Sequence, residues 1–203
     1  MKAGVAGLVL AGGEGRRWGG PKAWAQLPDG RTFLAACCEA LAAGGAAPLA
    51  ATLPPGTGSG LAPSGVIQVS LPRPGLDMFA SLGCGLRRLT EASSWATVVV
   101  LPVDHPLVDG ATVAAVAAAA APAAIATTPA GRHGHPIALS RGLAEAVVAG
   151  WFVGPTLREV LRASRAVDAA VDDPGVRANC NTPEALAAAW AARRATPGVG
   201  SDE

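Results

Sequence analysis

Short apolar runs alternate along the chain with longer segments of helical periodicity. The runs are continuous and rich in valine, leucine and alanine, which is typical of strands buried on both faces of a sheet. They predict strands at VAGLVLA from Val5, APLAATL from Ala47, GVIQVSL from Gly65, WATVVVLPV from Trp95 and AAIATT from Ala123.

The segments between these runs predict helices. TFLAACCEALAAG from Thr32, DMFASLGCGLRRLTEA from Asp77 and DGATVAAVAAAAA from Asp109 have apolar residues at helical spacing. Asp109 and Thr182 stand where N-caps are expected, and Pro183 follows at a first helical turn. Alternating strands and helices indicate an α/β sandwich around a mainly parallel sheet. We expect one domain over residues 1–193 and a disordered tail over 194–203.

Composition and charge exclude several classes of protein. The formal net charge is +1 and no basic block dominates, so we expect no nucleic-acid partner. The alanine-rich stretch around Pro122 lacks the leucine and phenylalanine of a membrane span, and the N-terminus lacks a signal-peptide pattern, so no membrane association is expected. The cysteines include no CxxC pair, which favours reduced thiols and a cytoplasmic location. They are Cys37, Cys38, Cys84 and Cys180.

The glycine-rich stretch GLVLAGGEGRRWGGPKAW, residues 7–24, fits neither common phosphate-binding loop. The dinucleotide pattern GxGxxG fails because Trp18 occupies the place of the third glycine. The P-loop pattern fails because Pro21 displaces the lysine and Ala23 offers no hydroxyl for magnesium. The stretch still combines glycines, which permit close ligand approach, with Arg16, Arg17 and Lys22. Such a loop suits a triphosphate, although a tight strand-to-helix connection with solvated cations would have the same composition.

At this stretch a family resemblance emerges. LAGGEGRRWGGPK, from Leu10 to Lys22, resembles the L-A-G-G-x-[SG]-x-R-M-G-x-x-K signature of nucleotidyltransferases of the molybdenum cofactor type. LPVDHPLV, GHPIAL and NCNTPEAL continue the resemblance in order over nearly the whole chain. Trp18 departs from the signature, where methionine or phenylalanine is usual, and we expect this change to alter packing more than chemistry.

The resemblance implies a GT-A-like, three-layer Rossmann-like fold and a magnesium-dependent nucleotidyltransferase. Such an enzyme transfers the NMP part of an NTP to a phosphorylated acceptor, here expected to be molybdopterin, and releases pyrophosphate. A molybdoenzyme or accessory protein is a further expected partner. The attacking phosphate is already anionic, so catalysis needs positioning and charge neutralisation rather than a general base.

The resemblance also assigns residues by position. The backbone from Leu10 to Gly13 would border the base and ribose, and Arg17 and Lys22 would hold the triphosphate. Asp104 and Asn181 would bind Mg²⁺, which prefers oxygen ligands. The expected catalytic residues are Arg17, Lys22 and Asp104. The expected nucleotide-binding residues are Leu10, Ala11, Gly12, Gly13, Gly15, Arg17, Lys22, Ser81 and Asp104.

The region of Met78 bears on the nucleobase. Met78, Ser81 and Leu82 match the Gly-Met-x-x-Ser-Leu pattern of cytidylyltransferase-like members, which favours CTP over GTP. Asp77 replaces the usual glycine there. Two alternative functions stay open, namely transfer to a sugar phosphate or another small phosphorylated acceptor, and a non-catalytic accessory protein that binds nucleotide or cofactor.

Several candidate residues also have structural interpretations. Asp104 and Asn181 are both suited to capping a helix or turn. Asn179 would face the same side as Asn181 if this segment were a strand. We expect a structural role for His105 and a place in the core for Cys180. His133 and His135 suit either acceptor contact or loop packing, and Trp151 and Phe152 suit either exposed anchors or the core.

Overall fold

A computed structural model of the chain describes residues 4–15, 18–58, 60–152 and 156–195. Within these ranges a seven-stranded sheet has the order β3-β2-β1-β4-β6-β5-β7. The strands are β1 Val5–Leu10, β2 Ala46–Leu53, β3 Val66–Ser70, β4 Thr97–Pro102, β5 Ala123–Thr127, β6 His133–Ser140 and β7 Val167–Ala170. The helices are α1 Phe33–Ala43, α2 Met78–Ala92, α3 Gly110–Ala119, α4 Arg141–Val148, α5 Leu157–Ala163 and α6 Pro183–Ala195.

The sheet has a hydrophobic cluster on each face. Successive residues of the central strands point to opposite faces, so Val9 packs on one side and Leu8 on the other. One cluster includes Phe33 of α1 and Val113 of α3, and the other includes Leu86 of α2. The arrangement confirms the three-layer α/β sandwich and explains why the central strands are apolar without alternation.

One strand of the sheet runs against the others. β6 pairs antiparallel with β4, where Val99 faces Ala138, and with β5, where Ile125 faces Ile137. His133 and His135, which suited loop packing in the sequence, belong to this strand, and His133 begins it. The apolar residues of β6 are buried in the middle of the sheet. The sequence pattern alone does not indicate this position.

Most helices begin at a side-chain cap. Thr32, Asp77, Ser140 and Thr156 each accept a hydrogen bond from the first turn of the helix that follows. Thr182 accepts one from the backbone N–H of Ala185, as the sequence predicts. Asp109 also stands at an N-cap position, but its own side chain makes no capping hydrogen bond. No helix in the described ranges is both long and apolar enough to cross a membrane.

The central strands bring the ends of distant segments together. β1 pairs in parallel with β2 on one side and β4 on the other, and Leu10 is level with Pro102. The connections that follow β1 and β4 lead toward opposite edges of the sheet. In open α/β sheets, ligands bind at the carboxyl ends of the strands beside such a point. The glycine-rich stretch and Asp104 therefore lie side by side.

Candidate active site

The chain turns tightly at Gly15, shortly after β1, where its carbonyl oxygen accepts a hydrogen bond from the Trp18 N–H at 2.7 Å. Gly15 has a φ of +61°, and a Cβ there would lie 1.9 Å from the carbonyl oxygen of Gly20. A Cβ at Gly12 would lie 2.1 Å from a methyl group of Leu71. Position 15 therefore needs glycine for steric reasons, whereas a side chain at Gly12 would require Leu71 to shift. The turn ends in a short 3-10 helix, Lys22–Trp24, which fixes the backbone of Lys22.

Three predicted residues meet at the carboxyl edge of the sheet. The Lys22 Nζ atom lies 3.2 Å from Asp104 Oδ2 and donates a hydrogen bond to Asn181 Oδ1. The side chains of Lys22 and Asp104 are 16% and 21% exposed, so the ion pair is partly shielded from water. A carboxylate and an amide oxygen thus face one positive charge.

The segment that carries Asn181 is held by backbone contacts rather than by a strand. The N–H of Cys180 donates to the carbonyl oxygen of Asp104 at 2.7 Å. Residues 178–181 are not a strand, so the condition under which Asn179 would face the same side as Asn181 is not met. Asn179 lines a larger cavity nearby, whereas Asn181 contacts Lys22.

Trp18 contributes to the same arrangement. Its indole Nε1–H donates to the carbonyl oxygen of Cys180 at 3.2 Å, and its ring packs edge-on against Phe33 at 5.3 Å. The hydrogen bond is an addition to the packing expected of Trp18, because methionine or phenylalanine cannot donate it. The glycine-rich turn and the Asn181 segment are linked through this side chain.

A cavity of about 220 Å³ opens beside Lys22. It adjoins the turn after β1, the first turn of α2 and the end of β4. Most predicted nucleotide-binding residues line it, namely Leu10, Gly12, Gly13, Gly15, Lys22, Ser81 and Asp104. Ala11 is buried behind it, where its N–H donates to the carbonyl oxygen of Thr52. Arg17 lies outside the described residues, so its role stays a prediction.

A second cavity of about 800 Å³ adjoins the first, and Met78 lines both. Its apolar wall includes Ile125, Ile137 and Leu161. Among the described residues that line it are four arginines and no carboxylate. These arginines, Arg158, Arg162, Arg165 and Arg177, are at its rim. The cavity is therefore suited to a ligand that has both an apolar part and anionic groups.

Two histidines lie between this cavity and the core. His105 and His135 pack edge to face with ring centroids 4.9 Å apart. Burial lowers the pKa of His105, although the nearby Asp104 carboxylate opposes this effect. Burial and the neighbouring His105 lower the pKa of His135 to about 4. Burial therefore favours the neutral form of both rings.

The remaining candidate residues lie in different environments. Cys180 is buried, as expected, and burial together with the Asp104 carboxylate raises the pKa of its thiol to about 11. His133 Nε2 lies 2.8 Å from Asp168 Oδ1 on the surface. Trp151 is 78% exposed, whereas Phe152 packs partly against the core.

The side chains near Lys22 limit the kinds of metal that could bind. Within the described residues there is no cluster of three or more His, Cys, Asp or Glu side chains that could hold a metal ion alone. The chain offers one carboxylate and one amide oxygen around a cationic group. This donor set fits a hard divalent cation that takes its other oxygen ligands from water and substrate.

Sequence reasoning missed two features of the site. The indole hydrogen bond of Trp18 joins residues that are far apart in the sequence, and no local pattern indicates it. The arginines of α5 were also missed, although the spacing of Arg158 and Arg162 was a usable signal because residues four apart share a helix face.

The fold and the site together define a class of protein. A Rossmann-like sheet with a glycine-lined cavity, a lysine and oxygen donors at its carboxyl edge is suited to an enzyme that binds a phosphorylated ligand. Residues 7–167 match the family model described as "MobA-like NTP transferase domain". The chain belongs to this family, which confirms the resemblance found in the sequence.

The chain is also similar to named relatives. It is 37% identical over 102 residues to a "Probable molybdenum cofactor guanylyltransferase" of Mycobacterium tuberculosis strain H37Rv. The match covers 50% of this chain and 49% of the relative, so the chain spans about half the length of the curated relatives it matches.

Solved structures show the same fold over almost the whole chain. Rv0371c from Mycobacterium tuberculosis H37Rv has a TM-score of 0.74 at 23% identity, covering 93% of this chain and 98% of that chain. The 2-C-methyl-D-erythritol 4-phosphate cytidylyltransferase from Thermus thermophilus has a TM-score of 0.60 at 26% identity, covering 96% of this chain and 100% of that chain.

Proposed function

We propose that this protein is a magnesium-dependent nucleotidyltransferase that transfers NMP from an NTP to a phosphorylated acceptor and releases pyrophosphate. The observation that carries the proposal is the meeting of Lys22, Asp104 and Asn181 beside the glycine-lined cavity. Family membership and the named relatives support the same activity.

The proposed roles follow from charge and position. The backbone from Leu10 to Gly13, together with Gly15 and Ser81, borders the nucleoside, and Lys22 neutralises the phosphates with Arg17. Asp104 and Asn181 hold Mg²⁺, and their oxygen donors fit it. When bound, the metal stabilises the charge that develops on the phosphate oxygens. A related structure, 23% identical and titled a complex of Rv0371C with manganese, supports a divalent cation.

The reaction needs no protein base. An oxygen of the acceptor phosphate forms a bond to the α-phosphorus, the bond from that phosphorus to the β-phosphate oxygen breaks, and the electron pair leaves with pyrophosphate. The acceptor oxygen is anionic before it attacks. His105 lies next to Asp104, but it is buried and burial lowers its pKa, so it positions the loop instead of taking a proton.

Two observations favour different nucleobases. Met78 and Ser81 line the smaller cavity and match the cytidylyltransferase-like pattern, so we propose CTP as the favoured substrate. The names of the curated relatives support GTP. A comparison of CTP and GTP in one assay decides between them.

The larger cavity is our proposed acceptor site. Its apolar wall suits a flat heterocycle and its arginine rim suits phosphate, which supports molybdopterin as the acceptor. The name of the curated relatives points to the same cofactor. A small polyol or sugar phosphate is the second candidate acceptor, because a similar solved structure is titled a methylerythritol phosphate cytidylyltransferase.

Pyrophosphate release tests the activity directly. The protein is mixed with Mg²⁺, each NTP in turn, and either molybdopterin or methylerythritol phosphate. We expect turnover with CTP or GTP and molybdopterin. Lys22→Ala should slow it about 10²- to 10³-fold because a preorganised positive charge beside the phosphates is lost. The control is Arg88→Ala on the exposed side of α2. No turnover with any pair would reject the proposal.

The same assay tests the acceptor site. We expect Arg158→Ala combined with Arg162→Ala to raise the KM for the acceptor by about tenfold or more, because charge-assisted hydrogen bonds to phosphate are lost. The KM for the nucleotide should change little. The double variant Arg87→Ala, Arg88→Ala removes the same charge from an exposed helix face and is the matched control. Equal changes in both KM values would argue against an acceptor role for these arginines.

A further inference from the structure

Lys22 occupies the position between the two oxygen donors proposed to bind metal. Its ammonium group contacts Asp104 Oδ2 at 3.2 Å and hydrogen-bonds to Asn181 Oδ1. In the described part of the chain, these are the polar contacts of the Lys22 side chain. The ammonium group of Lys22 thus neutralises or hydrogen-bonds both oxygen atoms from a position between them.

We propose that Lys22 acts as a stand-in cation, which keeps divalent metal out of this position until a nucleotide binds. The inference rests on the proposed function for the identity of the metal and the nucleotide. In this scheme the metal enters together with the triphosphate, and Lys22 moves from Asp104 and Asn181 to the phosphates.

Charge and geometry support the binding of metal together with the nucleotide rather than before it. A dication that binds Asp104 and Asn181 while the ammonium remains there would place like charges a few ångströms apart in a partly shielded site, where repulsion is strong. The metal must therefore displace Lys22. Metal alone offers the ammonium group no new partner, so the displacement leaves Lys22 without its counter-charge.

A bound triphosphate gives the displaced Lys22 ammonium group a new counter-charge. The smaller cavity adjoins Lys22 and is bordered by the open backbone of Gly13, where a Cβ would meet nothing within 4 Å. The backbone of Lys22 is held by the 3-10 turn, in which Ala25 N–H donates to the Lys22 carbonyl oxygen at 3.0 Å. The long, flexible lysine side chain can turn toward phosphate without movement of this backbone.

The test measures metal binding rather than activity. Mn²⁺ affinity is determined without nucleotide, by electron paramagnetic resonance of the free ion, for the wild type and for Lys22→Met and Lys22→Gln. We expect both variants to bind Mn²⁺ about tenfold more tightly than the wild type, as for a typical coupling between two sites. Adding Asp104→Asn to Lys22→Met should abolish the gain.

Two controls separate charge at this position from net charge. Lys22→Arg keeps a cation there and should bind Mn²⁺ as weakly as the wild type. Arg88→Met removes one positive charge from the exposed face of α2 and should also leave the affinity unchanged. The idea is overturned if neither neutral variant gains affinity, or if Arg88→Met gains as much as Lys22→Met.

A measurement on the wild type covers the case in which the variants do not fold. The chain has two lysines, Lys2 and Lys22, so amine labelling can be mapped to each by mass spectrometry. We expect Mg²⁺ alone to leave the labelling of Lys22 unchanged and Mg²⁺ with CTP or GTP to change it. An equal change with Mg²⁺ alone would contradict the proposal.

The two proposals can fail separately. Tighter Mn²⁺ binding by Lys22→Met, without NTP binding or turnover by the wild type, would reject the proposed function and leave the stand-in role of Lys22 intact. Normal turnover by the wild type, with no gain in Mn²⁺ affinity in either neutral variant, would reject the stand-in role alone.

Discussion

Trp18 shows how one side chain connects two parts of the site. The ring is half-buried against Phe33, and its N–H reaches the carbonyl oxygen of Cys180. Because Cys180 precedes Asn181, this bond holds the segment from which Asn181 reaches Lys22. Trp18 is therefore a positioning residue in the proposed site, and its removal should affect the proposed metal ligand Asn181 more than the proposed nucleotide cavity.

Trp18→Phe isolates the hydrogen bond, since it keeps an aromatic ring and removes the donor. We expect the free energy of unfolding to fall by about 1 kcal/mol, the usual net value of such a bond. The metal concentration for half-maximal activity should rise while the KM for NTP stays nearly constant. Urea denaturation and a magnesium titration measure the two effects. A variant with wild-type values in both would show that the bond contributes nothing.

Asp173 connects elements around the end of β4. It is 4% exposed, and its carboxylate accepts hydrogen bonds from the N–H of Asp109, the hydroxyl of Thr112 and the N–H of Gly175. It thereby holds both the N-cap residue of α3 and the side chain of Thr112 in the first turn of this helix. Asp109 instead forms an ion pair with Arg193 of α6.

Asp173→Ala should therefore be strongly destabilising. It leaves several buried donors without a partner, so we expect a loss of about 3 kcal/mol in the free energy of unfolding. Thermal or urea denaturation measures it. The neighbouring Asp172 is exposed, and Asp172→Ala should change stability by no more than about 0.5 kcal/mol. Similar losses in both variants would show that the network around Asp173 is not the cause.

The buried histidine pair makes the stability of the whole molecule depend on pH. The pKa of His135 in the folded state is about 4, below the value of about 6.5 expected for an unfolded chain. Between these values the unfolded chain binds more protons, so stability is full above about pH 6.5 and falls as the pH decreases toward 4. His105 contributes in the same direction because burial also lowers its pKa.

We expect the lowered pKa of His135 alone to reduce the free energy of unfolding by on the order of 2 kcal/mol when the pH falls from 7 to 5. Urea denaturation at several pH values measures the slope, which should be smaller in His135→Asn. The matched control is His133→Asn, since that imidazole is exposed and pairs with Asp168 at the edge of the sheet. An unchanged slope in His135→Asn would contradict the assignment.

The fold was predictable where the local pattern is strong. The strands β1 to β5 and the first three helices follow from runs such as TVVVLP and from caps such as Thr32, which act within a few residues. β6 was missed because the direction of a strand depends on its partners β4 and β5, and Pro136 interrupts its pattern. β7 was missed because it is short and mostly exposed at the end of the sheet.

The sequence by itself determined the α/β class, which follows from local periodicity. Its resemblance to nucleotidyltransferases of the molybdenum cofactor type gave Lys22, Asp104 and Asn181 as candidates. Only the tertiary structure decided that Lys22 lies between Asp104 and Asn181, that Trp18 holds the Asn181 segment, and that arginines of α5 border a second cavity. Such contacts join residues far apart along the chain, and the pairing of strands sets their distances.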